Sequence, residues 1–148
     1  MKKECACGSC QNACKNTPGW FRPGEAEKVA AFLGMPLDQL FKEKLGVNWW
    51  SGDLAFVLAP AVTSMQPGQE FRYDPRGTCV FFQDGKCSIH EVKPFECADT
   101  MCGDSRKVTE ERHEAIADSW RGEEHQAQIV KLLGREPIEE EGSFYSLL

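Results

Sequence analysis

The chain carries eight cysteines, and they are not scattered: Cys5, Cys7, Cys10 and Cys14 fall within residues 5–14, and Cys79, Cys87, Cys97 and Cys102 within residues 79–102. Three fates compete for such thiols. A cysteine used as a small apolar core residue sits in an apolar, periodic segment. These sit among Gly8, Ser9, Gln11 and Asn12 in the first cluster and beside Gly85, Pro94 and Gly103 in the second, in loops that leave sulfur atoms able to converge on one point. Disulfides belong to oxidising compartments. The start Met1-Lys2-Lys3-Glu4-Cys5 lacks the apolar stretch of a secretory signal, which gives a cytoplasmic, reducing location as the expectation. A chain of 148 residues also buries a core of its own without covalent staples. Ligation of a metal by thiolates is the fate that remains.

Spacing supports it. Cys7-Gly8-Ser9-Cys10 is a CxxC, in which two thiolates chelate one ion while the backbone turns tightly between them, and Cys14 adds a third thiol. A cytosolic CxxC can also be a redox pair, but that use comes with a strand before it and a helix directly after, whereas this one opens the chain. Of the other polar candidates, His90 is the histidine nearest the second cluster, with ligation and a hairpin hydrogen bond as its two readings. Lys93 is either a donor to the centre or a surface lysine, and His113 and His125 read as surface residues of a charged helix.

Composition narrows the function classes. A net charge of −6 and a pI near 5.1 give no basic stripe for phosphate contacts, so no nucleic-acid partner is expected. No apolar run approaches the roughly 18 residues of a membrane span, so no membrane partner is expected. A Gly-rich phosphate loop, a Ser-His-Asp order and an HExxH motif are all missing from the sequence, which leaves hydrolase and nucleotide-binding readings without support.

Along the chain, turn chemistry at Asn16-Thr17-Pro18-Gly19 precedes a helix from Pro23 through Leu33, with Ala26, Val29, Ala30 and Leu33 at helical spacing and Gly34 as its stop. Pro36 opens a second helix with Leu37, Leu40, Phe41 and Leu45 on one face, ending at Gly46. Trp49-Trp50 and the run Leu54–Leu58, closed by Pro60, read as a buried strand or an apolar turn. Residues 65–78 read as loop around a brief strand at Phe71-Arg72-Tyr73. Two β-favouring runs, Thr78–Phe82 and Lys86–His90, flank Gln83-Asp84-Gly85 and predict a hairpin that brings Cys79 and Cys87 near each other. Thr109-Glu110-Glu111 looks like a helix start; Ile116, Trp120, Ala127, Val130 and Leu133 carry the pattern to Gly134, with Gly122 bending or splitting it. The expected fold is a small α+β domain over residues 1–134, with cysteine-rich metal-binding loops, a short β-hairpin and flanking helices, and a C-terminal extension over 135–148 whose last apolar residues can dock back. The four tryptophans, Trp20, Trp49, Trp50 and Trp120, read as core or as walls around the centre.

Two blocks of this sequence resemble the YkgJ-type cysteine-cluster proteins, a family described as zinc- or iron-chelating. The first is Cys7-x-x-Cys10-x-x-x-Cys14, similar to that family's opening cluster. The second runs from Cys79-Val80-Phe81-Phe82 through Gly85, Cys87, Ile89 and His90 to Lys93-Pro94 and Cys97, and combines three cysteines with a hairpin glycine, an isoleucine and a proline at fixed offsets. The likeness covers about residues 5–102. It departs from the family pattern at Ala13, where a cysteine is frequent, at the extra Cys5, at His90 in place of Tyr and at Lys93 in place of Arg. The resemblance implies a ligand set in which Cys5 takes the role Ala13 cannot fill.

Four thiolates bind zinc tetrahedrally, and eight could make two closed sites using Cys5, Cys7, Cys10, Cys14, Cys79, Cys87, Cys97 and Cys102. Zinc ribbons, however, contribute two CxxC knuckles, and only one is present. An iron–sulfur cluster also takes four thiolates, spans several ångströms through its own sulfides and accepts ligands from scattered loops, which slightly favours iron–sulfur over zinc. Phe81, Phe82 and Phe95 would shield such a cluster, or are plain core. Two functions follow as expectations: a metal-binding protein with closed sites, or a redox or group-transfer enzyme using an iron–sulfur centre, the second implied by the family resemblance alone.

Overall fold

The computed structural model describes residues 19–50, 55–63, 65–70, 77–94 and 105–137. Helix α1 spans Glu25–Leu33 and α2 spans Leu37–Lys44. Strands β1, Leu45–Trp50, and β2, Ala55–Pro60, form an antiparallel hairpin; β3, Phe82–Gln83, and β4, Lys86–Cys87, form a second. A short 3₁₀ turn, His90–Val92, leads on, and helices α3, Arg106–Ser119, and α4, Glu123–Leu133, complete the described residues. These elements make the small α+β domain that the sequence predicts.

Each boundary has a local cause. The Arg22 N–H donates to the Glu25 carboxylate at 2.6 Å, occupying an acidic residue of the first turn of α1. At the other end Gly34, at φ +71°, donates to the Ala31 carbonyl while Met35 donates to Ala30, the paired bonds of a Schellman motif. Helix α2 starts after Pro36 as expected but stops at Lys44, two residues before Gly46. Leu45 and Gly46 instead enter β1, because Leu45 pairs with Pro60 and Gly46 with Ala59 in a ladder that runs to Trp50 and Ala55. Tertiary pairing overrides the helical period there.

The Ala55–Pro60 run is a strand, buried at every position. A strand covered on both faces reads as a continuous apolar run without alternation, which is why its sequence left strand and turn both open. The core gathers on this hairpin: Leu45, Val47, Val57 and Leu58 pack with Phe21, Val29, Leu40, Phe41, Ile116, Trp120 and Ile129. Trp49 and its register partner Phe56 hold their rings 4.6 Å apart.

Both edges of the hairpin are covered. Along β1, Gly68 donates to the Leu45 carbonyl at 2.7 Å and Val47 donates to the Gln69 carbonyl at 3.1 Å. Gly68 stands at φ +80°, and a Cβ there would lie 3.0 Å from the Lys42 Cα, so glycine is required twice over. Along β2, Phe21 donates to the Leu58 carbonyl at 2.9 Å. At Phe56 a side chain stands in for a strand: the Gln126 amide accepts from the Phe56 N–H at 3.4 Å and donates to its carbonyl at 3.1 Å, and also donates to the Trp120 carbonyl at 2.6 Å.

Helix α3 begins earlier than Thr109. Ser105 is its cap, its Oγ accepting from the Val108 N–H at 3.2 Å, while Thr109 sits one turn inside and donates its hydroxyl to the Ser105 carbonyl. The break at Gly122 and the stop at Gly134, at φ +78°, fall where the sequence predicts. Within α4 the buried residue is Ile129, whereas Ala127 is exposed, so the apolar stripe is rotated from the one read from the sequence. Beyond α4, Arg135 makes an ion pair with Glu70; residues 138–148, the rest of the expected extension, lie outside the described residues, as does the strand expected at 71–73. Among the described residues no helix is long and apolar enough to cross a membrane.

Replacing Gln126 with Leu should lower unfolding free energy by about 2 kcal/mol, because it leaves partly buried backbone groups of Phe56 unpaired. Urea denaturation checks this; an unchanged midpoint would show the edge to be satisfied otherwise. Gly68→Ala should also destabilise, by about 1–3 kcal/mol from the left-handed backbone and the contact with Lys42.

Candidate metal centre

Two of the eight cysteines, Cys79 and Cys87, lie among the described residues; Cys5, Cys7, Cys10, Cys14, Cys97 and Cys102 lie outside them, as does Phe95. The second hairpin carries the pair. Phe82 faces Cys87 and Gln83 faces Lys86, joined through Asp84 at φ +52° and Gly85 at φ +76°. Two consecutive residues with positive φ define a type I′ turn, whose twist matches that of the flanking strands, and Asp-Gly is the dipeptide that accommodates it. The hairpin predicted from Asp84-Gly85 is therefore formed, though its regular strands are shorter than the runs that suggested it. The Ser88 N–H extends it by donating to the Phe81 carbonyl at 2.7 Å.

Cys79 leaves the ladder. Its carbonyl accepts from the Phe82 N–H at 2.9 Å, closing a turn over residues 79–82, and the residue forms an antiparallel bridge with Val62. Flanking bonds hold the bridge: Val80 donates to Ala61 at 3.0 Å and Thr63 to Thr78 at 2.8 Å. A turn spans at most about 7 Å between its end Cα atoms and a strand pair about 5 Å, so the Cys79 and Cys87 backbones lie within about 12 Å of each other. Cys79 is buried at 8% exposure, and Cys87 is half-buried against the same core. Their sequence neighbours Phe81 and Ile89 are buried and Phe82 is half-buried, all three packed in the same apolar core.

The remaining candidates resolve differently. His90 opens the 3₁₀ turn and is half-buried, as is Lys93 just beyond it. His113 and His125, expected at the surface, are half-buried partners of tryptophan: His113 stacks on Trp20 with ring centres 4.5 Å apart, and His125 meets Trp120 edge-on at 6.0 Å, with its Nε2 3.6 Å from Glu124. A charged helical neighbourhood hides the first contact because Trp20 comes from distant sequence, and the second because Trp120 lies across the break at Gly122, five residues before His125. Trp20 and Trp120 are core, at 6% and 1% exposure, and Trp49 is half-buried.

Sequence reasoning also passed over Asn48, 2% exposed in β1. Its Oδ1 accepts from the Trp49 N–H at 2.8 Å while its Nδ2 has no hydrogen-bond partner among the described residues. Arg112, buried on α3, was not singled out either. A polar residue inside an apolar strand is the available signal for the first; nothing in the helical charge pattern marks the second. Among the described residues, no three His, Cys, Asp or Glu side chains gather closely enough to hold a metal ion. No family model matches the chain, and neither curated proteins nor solved structures yield a match.

The type I′ turn makes a specific demand. Gly85→Ala should cost about 1–2 kcal/mol through its left-handed backbone alone, since the added Cβ meets open space. Asp84→Asn should stay within about 0.5 kcal/mol of the parent, because Asn tolerates the same conformation. Equilibrium denaturation of both variants checks the pair; a neutral Gly85→Ala would mean the turn is not held in this form.

Proposed function

We propose that this chain is a cysteine-rich metal-binding protein of a reducing compartment, holding an iron–sulfur cluster or zinc through its two cysteine blocks, with kinship to the YkgJ-type proteins. Cys5, Cys7, Cys10, Cys14, Cys79, Cys87, Cys97 and Cys102 are the ligand candidates. The supporting observation is that residues next to or within each block bond to one stretch of chain, β2 and the two residues after it. Phe21, after the first block, is bonded to Leu58 on β2, and Cys79 and Val80 of the second block are held by Val62 and Ala61 just beyond Pro60. Val62 follows Leu58 by four positions, a span of at most about 14 Å. Cys14 precedes Phe21 by seven residues in sequence, a tether of at most about 25 Å. The two blocks are thus within reach of a shared centre although more than sixty residues separate Cys14 from Cys79.

The donor set suits thiolate coordination. Cys87 on β4 and Cys79 on the turn leading into that hairpin would supply two sulfurs, one half-buried against the apolar core and one buried within it, where low water access strengthens charge interactions at thiolates. The spread of the remaining candidates over separate loops favours a cluster, whose own sulfides span part of the distance, over a single ion. When bound, either centre would supply cross-linking of the loops, and a cluster would supply one-electron chemistry as well; the part of β4 and of the Val62–Cys79 bridge is to fix the backbone at two donors.

Anaerobic purification followed by metal and acid-labile sulfide analysis with a visible spectrum tests the proposal. Iron with stoichiometric sulfide is the expected result, while zinc without sulfide would reject the cluster and keep the metal. Replacing Cys7, Cys87 and Cys97 singly with Ser should lower metal content and thermal stability together, because metal binding and folding are coupled. Full loading of all three variants would overturn the proposal.

A further inference from the structure

We infer that the segment carrying Cys79 and Cys87 is a preformed half-site: main-chain bonds and core contacts that enlist no thiol lock its backbone before any metal arrives, and Gly85 is a positioning residue for Cys87. The effect of Gly85 on metal rests on the metal-binding reading above, whereas the order of the backbone stands without it. Both ends of the segment are tied. At its start the Thr78 carbonyl accepts from the Thr63 N–H at 2.8 Å, the Val80 N–H donates to the Ala61 carbonyl at 3.0 Å, and Cys79 bridges Val62. Ala61 and Val62 are themselves fully buried. At its end Ile89 is buried, its carbonyl accepts from the Val92 N–H at 2.9 Å, and the 3₁₀ turn at His90–Val92 packs against α1. Between these ties the Phe82 N–H donates to the Cys79 carbonyl and the Ser88 N–H to the Phe81 carbonyl, with the Phe81 side chain in the core.

A two-stranded hairpin is marginal in water by itself, and small metal domains commonly fold only when the ion arrives. This hairpin draws its order from another source. Its flanks are built into the core of a larger domain, so the entropy of ordering it is met when that domain folds and not when metal binds. Donors whose backbones are already fixed lose less conformational freedom on binding than donors on a loose loop. Cys87 lies two residues beyond Gly85 and faces Phe82 in the ladder, so its register depends on closure of the two-residue turn in its I′ form. A Cβ at Gly85 meets no neighbour and strains only that turn. Its influence on metal would therefore pass through the placement of Cys87, although no ligand is altered.

The test uses full-length protein, handled anaerobically with its thiols reduced, and has two readouts. The first is amide hydrogen exchange in protein stripped of metal and shown metal-free by elemental analysis. The amides of Val80, Phe82 and Ser88 should exchange at least about a hundredfold more slowly than in an unstructured chain, as members of the folded domain. Loss of protection at these three while Phe21 and Val47 stay protected would overturn the inference, since the hairpin would then need metal to form. The second is the rate at which excess EDTA removes metal from the protein as purified. Gly34→Ala is the reference, because it places the same left-handed strain in open space at the end of α1. At a temperature where circular dichroism shows all forms folded, Gly85→Ala should release metal about tenfold faster than the parent, the scale of lost support around a metal site, and Gly34→Ala at the parental rate. A parental rate in Gly85→Ala, or equal acceleration in Gly34→Ala, would overturn the positioning role. Should Gly85→Ala fail to fold, exchange in the parent decides alone. A parent purified without metal would reject the metal-binding reading, and the exchange measurement would still decide whether the hairpin is preformed.

Discussion

Strand β2 is buried on both faces, and its outward backbone groups must still find partners inside the protein. At Phe56 they find the carboxamide of Gln126, which presents one acceptor and one donor in the arrangement of a peptide bond. At Leu58 the carbonyl finds the Phe21 N–H. These contacts let a two-stranded hairpin, which is marginal by itself in water, serve as the centre of a domain. Because Gln126 also binds the Trp120 carbonyl, and Trp120 binds Phe21, one chain of hydrogen bonds runs from α4 through the α3–α4 corner to the segment preceding α1, with β2 in contact at both ends.

The proposed metal chemistry draws on the same strand. The segment leading into the second hairpin attaches just beyond β2 through the Val62–Cys79 bridge, and the hairpin's own geometry is enforced by Asp84 and Gly85. Its thiol-bearing residues therefore inherit their placement from the core instead of from a flexible loop. This division of labour is common where reactive groups must be held precisely: a rigid scaffold fixes the backbone, and short irregular segments present the side chains.

Local signals in the sequence were legible where a backbone conformation permits few residues. Gly34 and Gly134 end helices because a left-handed C′ position favours glycine, Gly122 separates α3 from α4, and Asp84-Gly85 specifies the type I′ turn. The reading failed where distant residues decide. Leu45 fits the apolar face of α2, yet its partner Pro60 draws it into β1. Ile129 and Ala127 exchange roles because the direction of the core depends on β2, and His113 looks solvated until Trp20 arrives from ninety-three positions earlier in the sequence. Gln126 is invisible as an edge partner for the same reason. Of the candidate ligands, the proximity of Cys79 and Cys87 was legible through the turn between them, whereas the attachment of Cys79 to the chain beyond β2 depends on Ala61 and Val62 and carries no motif.

The hydrogen bond between Trp120 and Phe21 joins residues 99 positions apart. During synthesis at about 5–20 residues per second, Phe21 is made roughly 5–20 s before the residue that fixes its carbonyl exists. The first cysteine block thus emerges, with all four of its thiols, well before the bond at Phe21 can close. Order of synthesis then imposes an order of assembly: the hairpin of β1 and β2 can pair early from nearby sequence, the second cysteine block follows it, and the Phe21 carbonyl is bonded only once the α3–α4 corner is complete. For a chain built this way, capture of metal at the proposed centre would be a late event, and the interval before it is when its thiols would be most open to competing chemistry.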